Sequence, residues 1–411
     1  MQTLTEINHI APAAMPGGAG FKVRLAGRGA LRALGLSDAP AGVGHPGAAL
    51  ANSSRGGKVL AVFRRSFYLA FGENELTRHA LACFVPASSG ANQFAGPLNV
   101  ICDLPEGIDW AASGLRPGDP ARVTDGRVVA GRFSFSFEGA EVWLAQAALS
   151  GADLPERWRR ADVLSGLKTL STLAEGKAPA EGLGRLIPKI AGGAGGTNGV
   201  DLSAIGGAEW AGDMGFPEGV ETAGDMGGLE GCQTPNGAKR QVICVGGQGA
   251  LALAGAMSGM LYSSSAGRTL PGRGIEISSY LTAAAGLVGL GPGLTPSGDD
   301  FIGGAMVALR ILGRGDIADR LVDWVLPLAL AGTSRISRAH LTEAARGEGA
   351  GALHGMIEAI VGPVGGDISS RLEAIDAVGH TSGWDALAGA VAAIGAVFCN
   401  DMGRDGIAAA F

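Results

Sequence analysis

The spacing S-G-x-D-x-x-x-G-A occurs twice in the C-terminal half of this chain, and it constrains the fold more than any other feature. Ser297, Gly298, Asp300, Gly304 and Ala305 fill it once; Ser382, Gly383, Asp385, Gly389 and Ala390 fill it again. Each copy has a threonine just upstream, Thr295 or Thr381, and each opens onto apolar residues at helical spacing. These are Phe301, Ala305, Leu309 and Leu312 in the first copy, and Leu387, Val391, Ile394 and Phe398 in the second. A glycine inside a helix costs about 1 kcal/mol relative to alanine. Gly304 and Gly389, a turn and a half into their helices, therefore predict close approach of another backbone. Two helix starts built alike are expected to face each other across one pocket. In a chain with 71 glycines, coincidence is the alternative.

The first copy follows a rigid loop containing Gly291, Pro292, Gly293 and Pro296. A glycine-rich loop opening onto a helix start brings backbone N–H groups together, which favours a small anion. Ser297 with Asp300 is also a capping-box pattern, so the acid has a purely structural reading. The adjacent carboxylates Asp299 and Asp300 would repel a bare anion. They fit a cap, a hard cation, or pairing with arginines. Between the copies lies TSRISR (333–338), in which Arg335 and Arg338 share one helical face beside hydroxyls. Guanidinium forks and hydroxyls suit a carboxylate or phosphoryl oxygen, although a solvated basic helix end has the same sequence signature. His380 precedes Thr381 as a candidate acid, base or donor.

GLTPSGDDFIGG (293–304), TSRIS (333–337) and GHTSGWDALAG (379–389) resemble the motifs of the AllH-like family. The likeness is specific over roughly 286 to 390, with weaker likeness at 57–69 (GKVLAVFRRSFYL) and 96–100 (GPLNV). The named member of that family is a subunit of the bacterial oxamate carbamoyltransferase of anaerobic allantoin degradation. The resemblance implies a part in moving a carbamoyl group between oxalurate, or a similar ureido acid, and phosphate, alongside partner proteins. Carbamoyl phosphate, oxamate and oxalurate are small planar anions, and helix N-termini, hydroxyls and arginines are what such ligands need.

Net charge is −6, with 32 basic residues spread out and only 5% aromatics, which leaves no basic stripe or stacking platform for nucleic acid. The cysteines are Cys83, Cys102, Cys232, Cys244 and Cys399; their odd number and wide spacing argue against a disulfide framework or structural zinc. Reduced thiols fit a cytoplasmic protein, and the N-terminus lacks the pattern of a signal peptide. The uncharged stretch 241–267 is nearly as long as a membrane span, but its glycines and Gln248 favour a buried helix and no membrane contact.

These patterns predict an α+β protein. Residues 1–21 read as a loose lead-in and 22–145 as a β-rich domain, a small sheet or partly closed barrel. Its strands are expected within 58–70, 97–102 and 128–137, with a hairpin turn at Asp125-Gly126 and turns at Gly72, Gly107 and Gly118. Arg64 and Arg65 then fall mid-strand. Residues 146–190 read as a helical connector, and 191–238, dominated by glycine, as a flexible insertion or lid. The rest, 239–411, is expected to be helical and to carry all three motifs on its loops, with helices near 247–262, 276–288, 300–312, 316–330, 335–346, 352–361, 367–377 and 384–399.

The function expected from residues and resemblance together is an enzyme subunit that handles a small carbamoyl or ureido anion. Gly293, Thr295, Ser297, Gly298, Thr333, Ser334, Thr381, Ser382, Gly383 and Asp385 would bind it, and Arg335 would pair with its charge. Asp299 and Asp300 would position those groups or a cation, with His380 as acid or base. A non-catalytic anion-binding or regulatory partner is one alternative. A magnesium-dependent hydrolase using Asp299 and Asp300 is the other, which makes magnesium a candidate cofactor though the sequence requires none.

Overall fold

The computed structural model describes residues 20–36, 55–72, 80–87, 95–105, 107–145, 160–193, 235–266, 277–362 and 367–400. Two compact units result, Met1–Leu144 and Ala145–Phe411. The architecture is α+β, with the strands in the first unit.

The first unit is a closed barrel rather than an open sheet. Its strands are β1 (Gly20–Gly27), β2 (Arg55–Val62), β3 (Phe67–Phe71), β4 (Leu81–Pro86), β5 (Asn99–Cys102), β6 (Pro120–Thr124), β7 (Arg127–Ala130), β8 (Phe133–Ser136) and β9 (Glu141–Trp143). They run β5-β4-β3-β2-β6-β7-β8-β1-β9, and β1 also pairs with β5, which closes eight of them into a ring. Helix α1 (Arg28–Leu34) follows β1 and ends at Gly35, whose φ of 71° supplies the left-handed cap. Aromatic rings fill the interior. Phe67 stacks on Phe84 at 4.9 Å, Trp110 meets Phe67 edge-on at 4.7 Å, and Phe135 lies 4.7 Å from Phe84. Strict alternation in β8 points Phe133 and Phe135 inward. Each such ring buried stabilises the fold by about 1.5–3 kcal/mol.

Asp125 (φ 47°) and Gly126 (φ 71°) form the expected hairpin turn between β6 and β7, with Thr124 opposite Arg127. Two other expectations need correction. The run 58–70 is two antiparallel strands, β2 and β3, and Arg64 and Arg65 stand exposed in the turn between them. The Phe63 N–H bonds to the Ser66 carbonyl to close that turn, which contains neither glycine nor proline to mark it. The run 128–137 likewise folds back at Gly131, where φ is +54°.

The second unit is helical: α2 (Arg160–Lys177), α3 (Ile187–Gly193), α4 (Pro235–Ala266), α5 (Ile277–Ala284), α6 (Ser297–Ile311), α7 (Gly315–Gly332), α8 (Arg335–Ala344), α9 (Gly351–Val361), α10 (Ile368–Asp376) and α11 (Ser382–Asn400). The helix α4 begins a dozen residues before the expected 247. It buries Ala250, Leu253, Ala256, Met257, Met260 and Leu261 in the core, as expected of 241–267. Among the described residues no helix is long and apolar enough to cross a membrane. Most of the glycine-rich stretch 191–238, the lead-in 1–19 and the last residues lie outside the described residues.

The helices α6 and α11 form the centre of this unit. Phe301, Ile302, Ala305, Met306, Val307, Ala308 and Leu309 are all buried, so α6 is covered on every side rather than along the single stripe its periodicity predicts.

Candidate functional site

The two copies of the repeated spacing meet. A Cβ on Gly304 would lie 1.8 Å from the Ala386 carbonyl oxygen, and one on Gly389 would lie 1.8 Å from that of Phe301. The contact is reciprocal: each helix offers its glycine to the residue just after the other copy's aspartate. Glycine is required at both because any side chain there would overlap backbone. Gly298 and Gly383 are likewise pressed against the Leu287 and Ile375 carbonyls, at 1.9 and 2.2 Å from a built Cβ.

This crossing carries the hydroxyls across. Thr295 Oγ1 and Ser382 Oγ, one from each copy, share a hydrogen bond of 2.9 Å. Both sit beside the Asp300 carboxyl. Burial pushes that carboxyl well above the usual range; the Ser382 hydroxyl pulls it back, the negative charge of Asp385 raises it again, and Thr295 lowers it. The second copy mirrors this pattern. Asp385 is wholly buried, and its carboxyl is raised by that burial against the opposing hydroxyls of Ser297 and Thr381. Each aspartate is therefore attended by the upstream threonine of its own copy and the serine of the other. Asp385 Oδ1 also accepts from the backbone N–H groups of Leu183 and Gly184. The Oδ2 atoms of both Asp300 and Asp385 are buried without a hydrogen-bond partner.

Asp299 is placed differently. Its carboxylate accepts from the Gly289 N–H at 2.8 Å, from the Ser337 hydroxyl at 2.6 Å and from the Thr333 hydroxyl. It thus fastens the glycine loop to the start of α8, and three donors occupy its oxygens. Ser334 caps α8, accepting from the Ser337 N–H at 3.0 Å, and donates to the Leu294 carbonyl at 2.7 Å. Arg338 donates to the Leu330 carbonyl at 2.7 Å and so ties off the end of α7. Arg335 is the half-buried first residue of α8. The loop itself turns at Gly289, Gly291 and Gly293, with φ of 74°, 120° and 96°. Gly293 is exposed, and so is His380, in the turn before α11.

The structure thus forms two adjoining groups, Thr295, Ser297, Asp300, Thr381, Ser382 and Asp385 at the helix crossing and Asp299, Thr333 and Ser334 at the start of α8, with Gly298 and Gly383 packed against carbonyls beside them and Gly293 and His380 exposed. Two expectations fail. Ser297 does not cap α6: Pro296 occupies the cap position and no side chain bonds there. The amide donors at the helix starts are also largely used. Gly298 N–H bonds to the Leu290 carbonyl, Asp299 and Asp300 N–H to Pro296, Gly383 N–H to Val378 and Asp385 N–H to Thr381. Pro296 and the tight loop turn those groups inward, away from an approaching anion. Sequence reasoning missed Ser337, which the S-R-I-S spacing of a capped helix start marks, and the Gly182–Gly184 turn, which no local signal ties to Asp385.

Among the described residues no cluster of three or more His, Cys, Asp or Glu side chains is arranged to hold a metal. Residues 287–394, about a quarter of the chain, match the family model for oxamate carbamoyltransferase subunit AllH, which supports an AllH-like family for this protein. No curated protein and no solved structure matches it.

Proposed function

From that AllH-like match we propose that this chain is a subunit of an oxamate carbamoyltransferase-type assembly. In this reading the face where the three motif segments converge binds a small planar anion bearing a carbamoyl or ureido group. The observation that carries the proposal is the Thr295–Ser382 hydrogen bond at 2.9 Å. It joins two motifs far apart in sequence inside the matched segment, while Asp299 binds the third motif to the first. Hydroxyls from two motifs, with Arg335 at the start of α8 in the third, are the side-chain types that suit carbamoyl phosphate, oxamate or oxalurate. Carbamoyl transfer between oxalurate and phosphate is then the reaction that the assembled complex serves.

The internal use of the helix-start amides favours one role for this subunit over another. An oxyanion hole needs such donors directed outward, and at Gly298, Asp299 and Asp300 they point to carbonyls of the chain itself. The subunit therefore positions the anion, and partner subunits complete the catalytic donors. Thermal-shift titration of the full chain with carbamoyl phosphate, oxamate, oxalurate and phosphate in metal-free buffer tests this. A ligand at 100 times its Kd stabilises by about 2.7 kcal/mol, a rise of several degrees in Tm, and Arg335→Ala is expected to abolish it with unchanged circular dichroism. No rise with any of the four anions overturns the binding reading; an undiminished rise in Arg335→Ala removes Arg335 from the site.

A further inference from the structure

We propose that the crossing of α6 and α11 is a binding site for one hard divalent cation, magnesium or calcium, held between the Asp300 and Asp385 carboxylates. The inference goes beyond the anion site and does not depend on it. Asp385 is wholly buried, and its Oδ2 has no donor, nor has Oδ2 of Asp300. The neighbouring charges that act on Asp300, those of Asp385 and Asp299, are also negative. A wholly buried carboxylate with a half-buried, like-charged neighbour whose Oδ2 is also shielded is costly unless a cation or protons neutralise them. A doubly charged cation cancels both.

The surrounding groups fit the chemistry. Thr295, Ser297, Thr381 and Ser382 place hydroxyl oxygens around the two carboxylates, so the donor set is all oxygen. Oxygen-only sets of this size select magnesium or calcium over zinc or copper, which prefer imidazole and thiolate. Asp299 is not a member of the set, because both its oxygens are hydrogen-bonded, Oδ1 to Gly289 and Oδ2 to Thr333 and Ser337, whereas Asp300 and Asp385 each keep Oδ2 unpartnered. The reciprocal glycines set the site here: Gly304 packs on the carbonyl of Ala386 and Gly389 on that of Phe301, the residues next to Asp385 and Asp300. The hydroxyl ends of both copies then point at one locus rather than two.

Trp384, buried beside Asp385, gives a direct readout. Terbium substitutes for calcium and emits when a nearby indole transfers excitation to it. Metal-free full-length protein titrated with terbium is expected to show sensitised emission that excess calcium or magnesium displaces. Either ion alone should raise Tm by several degrees, and the arm that responds at lower concentration identifies the preferred ion. In the double variant Asp300→Asn/Asp385→Asn both responses should vanish. Trp384→Phe keeps every ligand and should lose the emission while retaining the Tm rise, so the assignment stays testable if the double variant does not fold. Emission that persists in Trp384→Phe, a Tm response to potassium or sodium only, or no response to any cation overturns the proposal. The anion titration above can fail while this one succeeds, and the reverse.

Discussion

The two copies of the repeated motif fold alike where they are identical and diverge at the one internal position that differs most. At that position the first copy has Asp299 and the second has Trp384. Asp299, itself buried, binds the glycine loop and the start of α8 through Gly289, Thr333 and Ser337. Trp384 is buried, and its indole donates to Asp376 at the end of α10 at 2.8 Å. The shared residues build the crossing; the variable residue fastens whatever lies behind it. The copies also differ in how their aspartates are held. Backbone amides of Leu183 and Gly184 anchor Asp385, whereas Asp300 is attended by side-chain hydroxyls. One half of the network is fixed by main chain and the other half can readjust.

The largest test of this comparison is steric. Alanine at Gly304 or at Gly389 should cost roughly 3 kcal/mol or more in urea unfolding, with the two losses similar, because each methyl would overlap a carbonyl oxygen of the other helix. Gly395, later on α11, has nothing within 4 Å of a built Cβ, and alanine there should be neutral or stabilise by about 0.5–1 kcal/mol. Unequal losses at 304 and 389 would show that the crossing is not reciprocal in energy.

The variable position comes next. Asp299→Ala leaves three donors without their acceptor and should cost about 2–3 kcal/mol, whereas Trp384→Phe loses one hydrogen bond and should cost about 1 kcal/mol. If Asp299→Ala also separates α8 from the glycine loop, hydrogen exchange should rise at Gly289 and Ser337 and stay unchanged at Gly389.

The smallest effect concerns acid. Burial raises the carboxyls of both copies, so each holds its proton more firmly folded than unfolded, and acid does not loosen the crossing through them. His354 behaves in the opposite sense. Burial lowers it from 6.5 to about 4, so the unfolded chain binds its proton first. Its contribution is complete above pH 6.5 and is lost as pH falls from there toward 4, amounting to about 1 kcal/mol at pH 5.5. Tm measured between pH 7.5 and 5 should show this slope. His354→Gln, which can still accept from the Gly349 N–H, should remove about half of the slope, because burial lowers His340 from 6.5 to about 4 as well.

Much of this was legible in the sequence for a physical reason. Glycine in a helix interior is costly, so Gly304 and Gly389 announced a close contact, and the matching threonines and serines said which ends would meet. The capping-box reading of Ser297 failed because Pro296, with its fixed φ, takes the cap position and leaves Ser297 inside the first turn. The hairpin at Arg64 and Arg65 stayed hidden because its turn uses no residue that local rules recognise. The partners of Asp385 at 183 and 184 were out of reach for a different reason: a contact spanning half the chain leaves no trace in local periodicity.

Closure of the barrel has a consequence for how the protein is made. The first strand, β1, is hydrogen-bonded to β5, β8 and β9, all of which come later in the chain. At about 5–20 residues per second on the ribosome, β1 waits roughly 6–25 seconds for its last neighbour to be synthesised. Until β8 and β9 emerge at least one edge of β1 stays open, so the demand for chaperone protection falls while the barrel itself is being synthesised.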